Sequence, residues 1–207
     1  MKENDHCYYV ASRYLGQIEL SIEALRKVDN DELLSIPFFY EPLFNLIMAG
    51  LVSKLEEFLK DRLELEVYAS NDSLYKYAIA YIELITKKHK KHKDCCKEWK
   101  KAIDTHNTIK IQKLVDNSLD RHIYHNVDMI TFYLSRISSI ELNEVAYYDK
   151  IKDLIQLRHR IIHPTKDKLC IPMNRVIEAC SHSFQFIKNV ESKFVQSGRQ
   201  PICEDPW

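Results

Sequence analysis

Six consecutive residues, Arg158-His159-Arg160-Ile161-Ile162-His163, bring two permanent cations and two imidazoles into less than two turns of a helix. Arginine suits a phosphodiester because its planar fork donates two hydrogen bonds and does not deprotonate. Histidine suits proton transfer because its pKa lies near neutrality. Together they form the minimal kit for splitting RNA by its own 2′-hydroxyl. A base takes the hydroxyl proton, the cation stabilises the charged phosphorane, and an acid protonates the departing 5′-oxygen. No metal is required for that chemistry. The same residue types also serve a plainer end, since cations and imidazoles near a helix C-terminus pair with the dipole and cap its carbonyls.

The element that positions them reads as a helix over about 142–163, closed by Pro164, which restricts the residue before it. At about 100° per residue, Ile151, Leu154, Ile155 and Ile162 form one apolar stripe, and Arg158 projects into its middle. A guanidinium on a packing face is costly unless an anion or an acceptor meets it. A dipole-pairing arginine could sit anywhere on the exposed side, so the stripe position weakens the plainer reading without closing it. His159 and His163, four apart, follow the stripe's edge.

Other helices are legible from spacing. Residues 5–28 carry Tyr9, Ser12, Leu15, Ile18, Ile22 and Leu25 near helical intervals. After Pro37 and Pro42, a long helix shows Leu43, Leu46, Ile47, Leu51, Leu55, Phe58, Leu59 and Leu63. Asn71-Asp72-Ser73 caps a helix of about 73–89, residues 87–101 break the pattern, and it resumes weakly over 108–119 and firmly over 126–138. Pro172 opens a last helix of about 173–195, and the tail after Gly198 reads as frayed.

Composition excludes several classes. Only Gly16, Gly50 and Gly198 occur in 207 residues, too few for a P-loop or dinucleotide fingerprint, or for a hairpin-rich β protein. Apolar residues at 45% and charged residues at 29% suit a folded globular chain. Thirty basic side chains balance thirty acidic ones, so any nucleic-acid site must come from local clustering. The six cysteines form no C-x-x-C pair, and Met1 to His6 lacks a signal peptide's apolar core. Reduced thiols, no membrane span and a cytoplasmic location are expected.

Five further groups bear on chemistry. The basic run Lys87, Lys88, Lys90, Lys91 and Lys93, with Arg160, supplies candidate RNA-backbone contacts, or else a solvated helix end. His89, His92, Cys95 and Cys96, or His122 and His125, have spacings that suit zinc, but the surrounding lysines repel a cation. No metal or cofactor is expected. Glu56 and Glu57 on the long helix are candidates to orient Arg158 or assist proton transfer, with an exposed face as the ordinary alternative. Among aromatics, Phe38, Phe39, Tyr40, Tyr147 and Tyr148 are candidates for base stacking, with core packing the commoner fate. A nucleophilic triad assembled in three dimensions leaves no local trace, and no nucleophile-elbow motif is present.

Arg158-His159-Arg160-Ile161-Ile162-His163 resembles the R-(polar)-x-x-x-H signature of HEPN domains, with histidine in the polar slot often filled by asparagine or aspartate. Leu154-Ile155-Gln156-Leu157 before it and Pro164 after it fit those helices. Leu51-Val52-Ser53-Lys54-Leu55-Glu56-Glu57-Phe58-Leu59 resembles the early helix of prokaryotic defence-linked HEPN families. The resemblance implies an all-α, HEPN-like helical bundle, and a length of 207 residues suits one domain over 1–207. Its core spans about 37–195, the helix at 5–28 packs on it, and the tail over 198–207 is frayed. It also implies a homodimer whose two Arg/His sets share one cleft. There Arg158 binds the scissile phosphate, His163 transfers protons, and His159 orients Arg158 or the phosphate. Many such domains are toxins or antiviral effectors, kept in check by an antitoxin or housed in a larger defence complex, and some relatives only bind. Two further readings stand beside it: a non-catalytic helical module binding a partner protein or a nucleotide, and a metal-dependent hydrolase built on the histidine/cysteine cluster.

Overall fold

The apolar spacing along residues 43–63 resolves into one helix, α2 (Pro37–Tyr68), which accommodates Pro42 in its second turn. A computed structural model describes residues 3–28, 37–88, 95–122, 126–162 and 171–202. Every regular element among the described residues is helical: α1 (Glu3–Val28), α2, α3 (Asn71–Lys88), α4 (Cys95–Asp104), α5 (Thr108–His122), α6 (Val127–Ser138), α7 (Tyr148–Ile162) and α8 (Met173–Gln196), with a 3₁₀ turn at Leu142–Glu144. The all-α expectation holds. No helix among the described residues is long and apolar enough to cross a membrane.

The chain divides into two compact units, one of Met1–Phe58 with Asn143–Trp207 and one of Leu59–Leu142, the division falling inside α2. In the first, α1 lies along α8, and α7 packs on α8 as well. Leu51, Leu55 and Phe58 of α2 are fully buried, as are Ile151 of α7 and Phe186, Ile187 and Phe194 of α8. Each such side chain contributes about 1.5–3 kcal/mol relative to an exposed one. Tyr14 of α1 meets Phe58 edge-on at 5.4 Å.

The buried stripe of α1 is rotated from the one read in sequence. Cys7, Val10, Ala11, Tyr14, Leu15 and Ile22 are buried, whereas Tyr9 is exposed. Cys7, Val10, Ala11, Tyr14 and Leu15 recur at intervals of three and four, so they share one helix face from which Tyr9 points away. The segment after Gly198 also differs from the frayed tail expected. Ile202 is buried, and its backbone N–H donates to Glu191 Oε1 at 2.8 Å, so the described part of the tail is anchored.

In the second unit, α3 contacts α4, α5 and α6. Tyr81 stacks on Trp99 at 4.4 Å, and Tyr77 lies against Tyr133 at 4.7 Å with its hydroxyl 2.7 Å from Ser118 Oγ. Burial pushes the Tyr133 phenol well above its ordinary pKa. Helix α4 begins inside the stretch 87–101, where the apolar spacing is interrupted. Its lysines obscure a short apolar repeat, because Cys96, Trp99 and Ala102 recur at intervals of three and are buried. Asn126 caps α6, its side chain accepting from the Met129 N–H at 3.2 Å. Arg62 and Glu66, one turn apart on α2, form a fully buried ion pair.

Candidate active site

Helix α7 begins at Tyr148 rather than 142, because Leu142–Glu144 forms the 3₁₀ turn and Tyr147 adopts a left-handed backbone with φ 71°. Neither feature has a glycine or proline to announce it. Three of the residues expected on the stripe, Ile151, Leu154 and Ile155, are buried. One turn beyond Leu154, Arg158 continues it, with 21% of its side chain exposed.

The anion that meets Arg158 is Glu56. Its carboxylate accepts two hydrogen bonds from Nη1, at 3.0 Å to Oε1 and 2.8 Å to Oε2. Glu56 follows fully buried Leu55 on α2, and only 7% of its own side chain is exposed. A carboxylate so placed loses most of its hydration, and a charge-assisted pair at this distance is what makes the burial tolerable. The adjacent Glu57 takes the ordinary alternative: half-exposed, it pairs with Lys54 at 2.6 Å. Two neighbouring acids thus divide into one that holds Arg158 and one that faces water. In sequence the hint is helical phase: Glu56 stands four residues after Val52 and three before Leu59, both buried, whereas Glu57 stands four after exposed Ser53.

His159 and Arg160 are both exposed in the last turn of α7, where positive charge favours the helix C-terminus. His163 and Pro164 lie outside the described residues. Of the two principal site residues, the structure therefore describes Arg158 alone. Lys87 belongs to the second unit; it is exposed and pairs with Glu83 at 2.7 Å. Lys88 ends α3, while Lys90, Lys91 and Lys93 lie outside the described residues, as do His89, His92 and His125 of the zinc reading. Cys96 of that set is a core residue of α4. Of the aromatic candidates, Tyr148 is buried and Tyr147 is exposed.

Three polar features of the first unit were not singled out from sequence. Fully buried Glu191 on α8 takes the Ile202 N–H and lies 3.2 Å from His6 Nε2 on α1. His182 on α8 stacks with Tyr147. Between α1 and α8 opens a cavity of about 410 Å³ lined in part by Tyr8, Glu19, Glu23, Cys180 and Phe184. Burial, with Glu23 nearby, raises the Glu19 carboxyl above its usual range. Burial, then the Glu19 carboxylate, pushes the Cys180 thiol up to about 12, with Arg26 opposing. These residues come from separate helices, so linear spacing carries no sign of them.

Chemically, the Arg158–Glu56 pair offers a cation whose direction is fixed by a carboxylate rather than by its own flexible stem, next to the end of a helix. Compared with known proteins, the chain matches no family model, no curated protein and no solved structure.

Proposed function

We propose that this chain is a metal-independent endoribonuclease of the HEPN type, acting as a homodimer in which Arg158 binds the scissile phosphate and His163 moves protons. The observation that carries the reading is the placement of Arg158: a guanidinium on the packing stripe of α7, held through Nη1 by the buried carboxylate of Glu56, five positions before a histidine. A cation oriented in advance stabilises developing charge without reorganising when the charge appears.

In the proposed reaction the substrate's 2′-oxygen attacks the adjacent phosphorus. The P–O2′ bond forms and the P–O5′ bond breaks, leaving a 2′,3′-cyclic phosphate and a 5′-hydroxyl. The 2′-hydroxyl proton passes to a neutral imidazole, and an imidazolium supplies the proton taken up by the 5′-oxygen, so no water is consumed. With two copies sharing a cleft, the two His163 side chains divide these tasks. His159, in the polar slot, assists at the phosphate, and the lysines at 87–93 with Arg160 add salt-dependent attraction for the RNA backbone. The setting suggested by the resemblance is a cytoplasmic toxin or antiviral effector, restrained by an antitoxin or a larger complex.

One observation favours a second reading, a non-catalytic helical module. Glu56 already compensates the charge of Arg158, and a buried ion pair by itself accounts for an arginine on a packing face. Incubating the purified protein with single-stranded RNA and chelator separates the two. Cleavage that disappears in Arg158→Ala supports the nuclease; intact RNA with the wild-type protein supports the module.

A further inference from the structure

Tyr147 occupies a backbone conformation in which a glycine would be easier. At φ 71° a bulky side chain is strained, and such residues persist only where their surroundings over-determine them. Here they do. Before it, Val145 is buried and Glu144 accepts an ion pair from Lys193 at 2.9 Å. After it, the Tyr148 N–H donates to the Val145 carbonyl at 3.2 Å, and the Tyr147 carbonyl accepts the Ile151 N–H at 3.0 Å, opening α7. The result is an aromatic ring laid on the His182 imidazole of α8, with centroids 5.0 Å apart and planes 28° apart, yet still 40% exposed.

Beside this stack, Lys150, Leu154, Arg175, Glu178 and Ala179 join His182 around a shallow depression between α7 and α8. Glu178 is the one acid of that group; it lies 3.3 Å from Arg175 and 4.0 Å from His182, leaving the rim with an excess of cations. Leu154, which lines the depression, stands one turn before Arg158. Tyr147 immediately precedes α7, and the ten steps along α7 from Tyr148 to Arg158 cover about 15 Å at 1.5 Å per residue. About two or three nucleotides of extended single strand bridge that span, bases stacking where an aromatic face is offered and phosphates passing the cations.

We infer that the α7/α8 rim is a base-stacking subsite for single-stranded RNA, in which a nucleobase lies against Tyr147 about two or three nucleotides from the phosphate bound by Arg158. The inference rests on the ribonuclease reading for its register, but its test does not depend on turnover. The probe is a single-stranded oligonucleotide methylated at every 2′-oxygen, which removes the nucleophile, carrying 2-aminopurine at one position at a time. Bound to the intact protein, it is expected to show strong quenching when 2-aminopurine occupies one register and little elsewhere. Tyr147→Ala and Tyr147→Gly abolish that quenching and weaken binding roughly tenfold, while Tyr147→Phe, which keeps the ring, restores both. Glycine relaxes the strained φ, so a folded Tyr147→Gly protein that has lost the quenching isolates the ring's role from stability.

No binding of the oligonucleotide by the wild-type protein, equal quenching in Tyr147→Ala, or equal loss in Tyr147→Phe overturns the subsite. RNA cut normally by Tyr147→Ala with unchanged kcat/KM removes the subsite and leaves the nuclease. Quenching that depends on Tyr147 in a protein that cuts no RNA keeps the subsite and removes the nuclease.

Discussion

Arg158 and Glu56 are 102 residues apart in the chain, and a single guanidinium nitrogen of the one donates to both carboxylate oxygens of the other. The pair ties the C-terminal end of α7 to α2 and sets which way the cation points.

Removing either partner has distinct consequences. Arg158→Ala leaves a nearly buried carboxylate uncompensated, and the expected loss is about 1–3 kcal/mol, discounted because part of the guanidinium meets water. Glu56→Gln keeps the shape and one acceptor, so about 1 kcal/mol is expected, together with an activity loss of about tenfold from a less firmly aimed cation. A double-mutant cycle of the two sites, followed by chemical denaturation, should return a coupling of about 1–2 kcal/mol. Additive effects would show that the two groups do not depend on one another.

Much of this site can be read in the sequence. The spacing of Ile151, Leu154 and Ile155 fixes the buried face of α7 and puts Arg158 on it, and the acids at 56 and 57 are visible candidates for its partner. Helical phase sets Glu56 rather than Glu57 beside buried Val52 and Leu59, but that this acid meets Arg158, 102 residues away, is decided by tertiary packing, to which a pattern of apolar letters is blind. The start of α7 differs from the spacing for a related reason: Tyr147 takes a left-handed conformation because neighbours on both sides pin it, while its residue type argues against it. Leu46 illustrates the limit of periodicity, since it has the right spacing on α2 and is 69% exposed. The His6–Glu191 contact links two ends of the chain, and only a folded structure brings them together.

Glu191 anchors the segment that follows α8. Glu191→Ala removes the acceptor of the Ile202 N–H and a neighbour of His6, with an expected cost of about 2–3 kcal/mol. Hydrogen exchange reads this locally. The Ile202 amide should be protected in the wild type and exchange about a hundredfold faster in the variant, with amides of α3 unaffected. Unchanged protection of Ile202 would mean that the segment is held by other contacts.

Cys180 gives a pH signature. Burial raises its thiol from an ordinary 9.0 to about 12, so the protonated form is the one the fold accepts. The stabilisation is complete below the unfolded-state value and is lost as pH rises from about 9 toward 12, because only the unfolded chain then ionises freely. Stability measured across that alkaline window should decline in the wild type and decline less in Cys180→Ala. Iodoacetamide near neutral pH should modify Cys180 slowly until the protein unfolds; rapid native-state alkylation would contradict the burial.

The most direct test of the nuclease assignment is the chemistry of the RNA ends. Purified protein incubated with total RNA and EDTA is expected to yield 2′,3′-cyclic phosphates and 5′-hydroxyls. Arg158→Ala is expected to lower the rate by about a hundredfold to a thousandfold, and His163→Ala by a similar factor, while both variants retain helical circular dichroism. Ends bearing 3′-hydroxyls and 5′-phosphates, cleavage abolished by EDTA, or an Arg158→Ala protein as active as the wild type would contradict it.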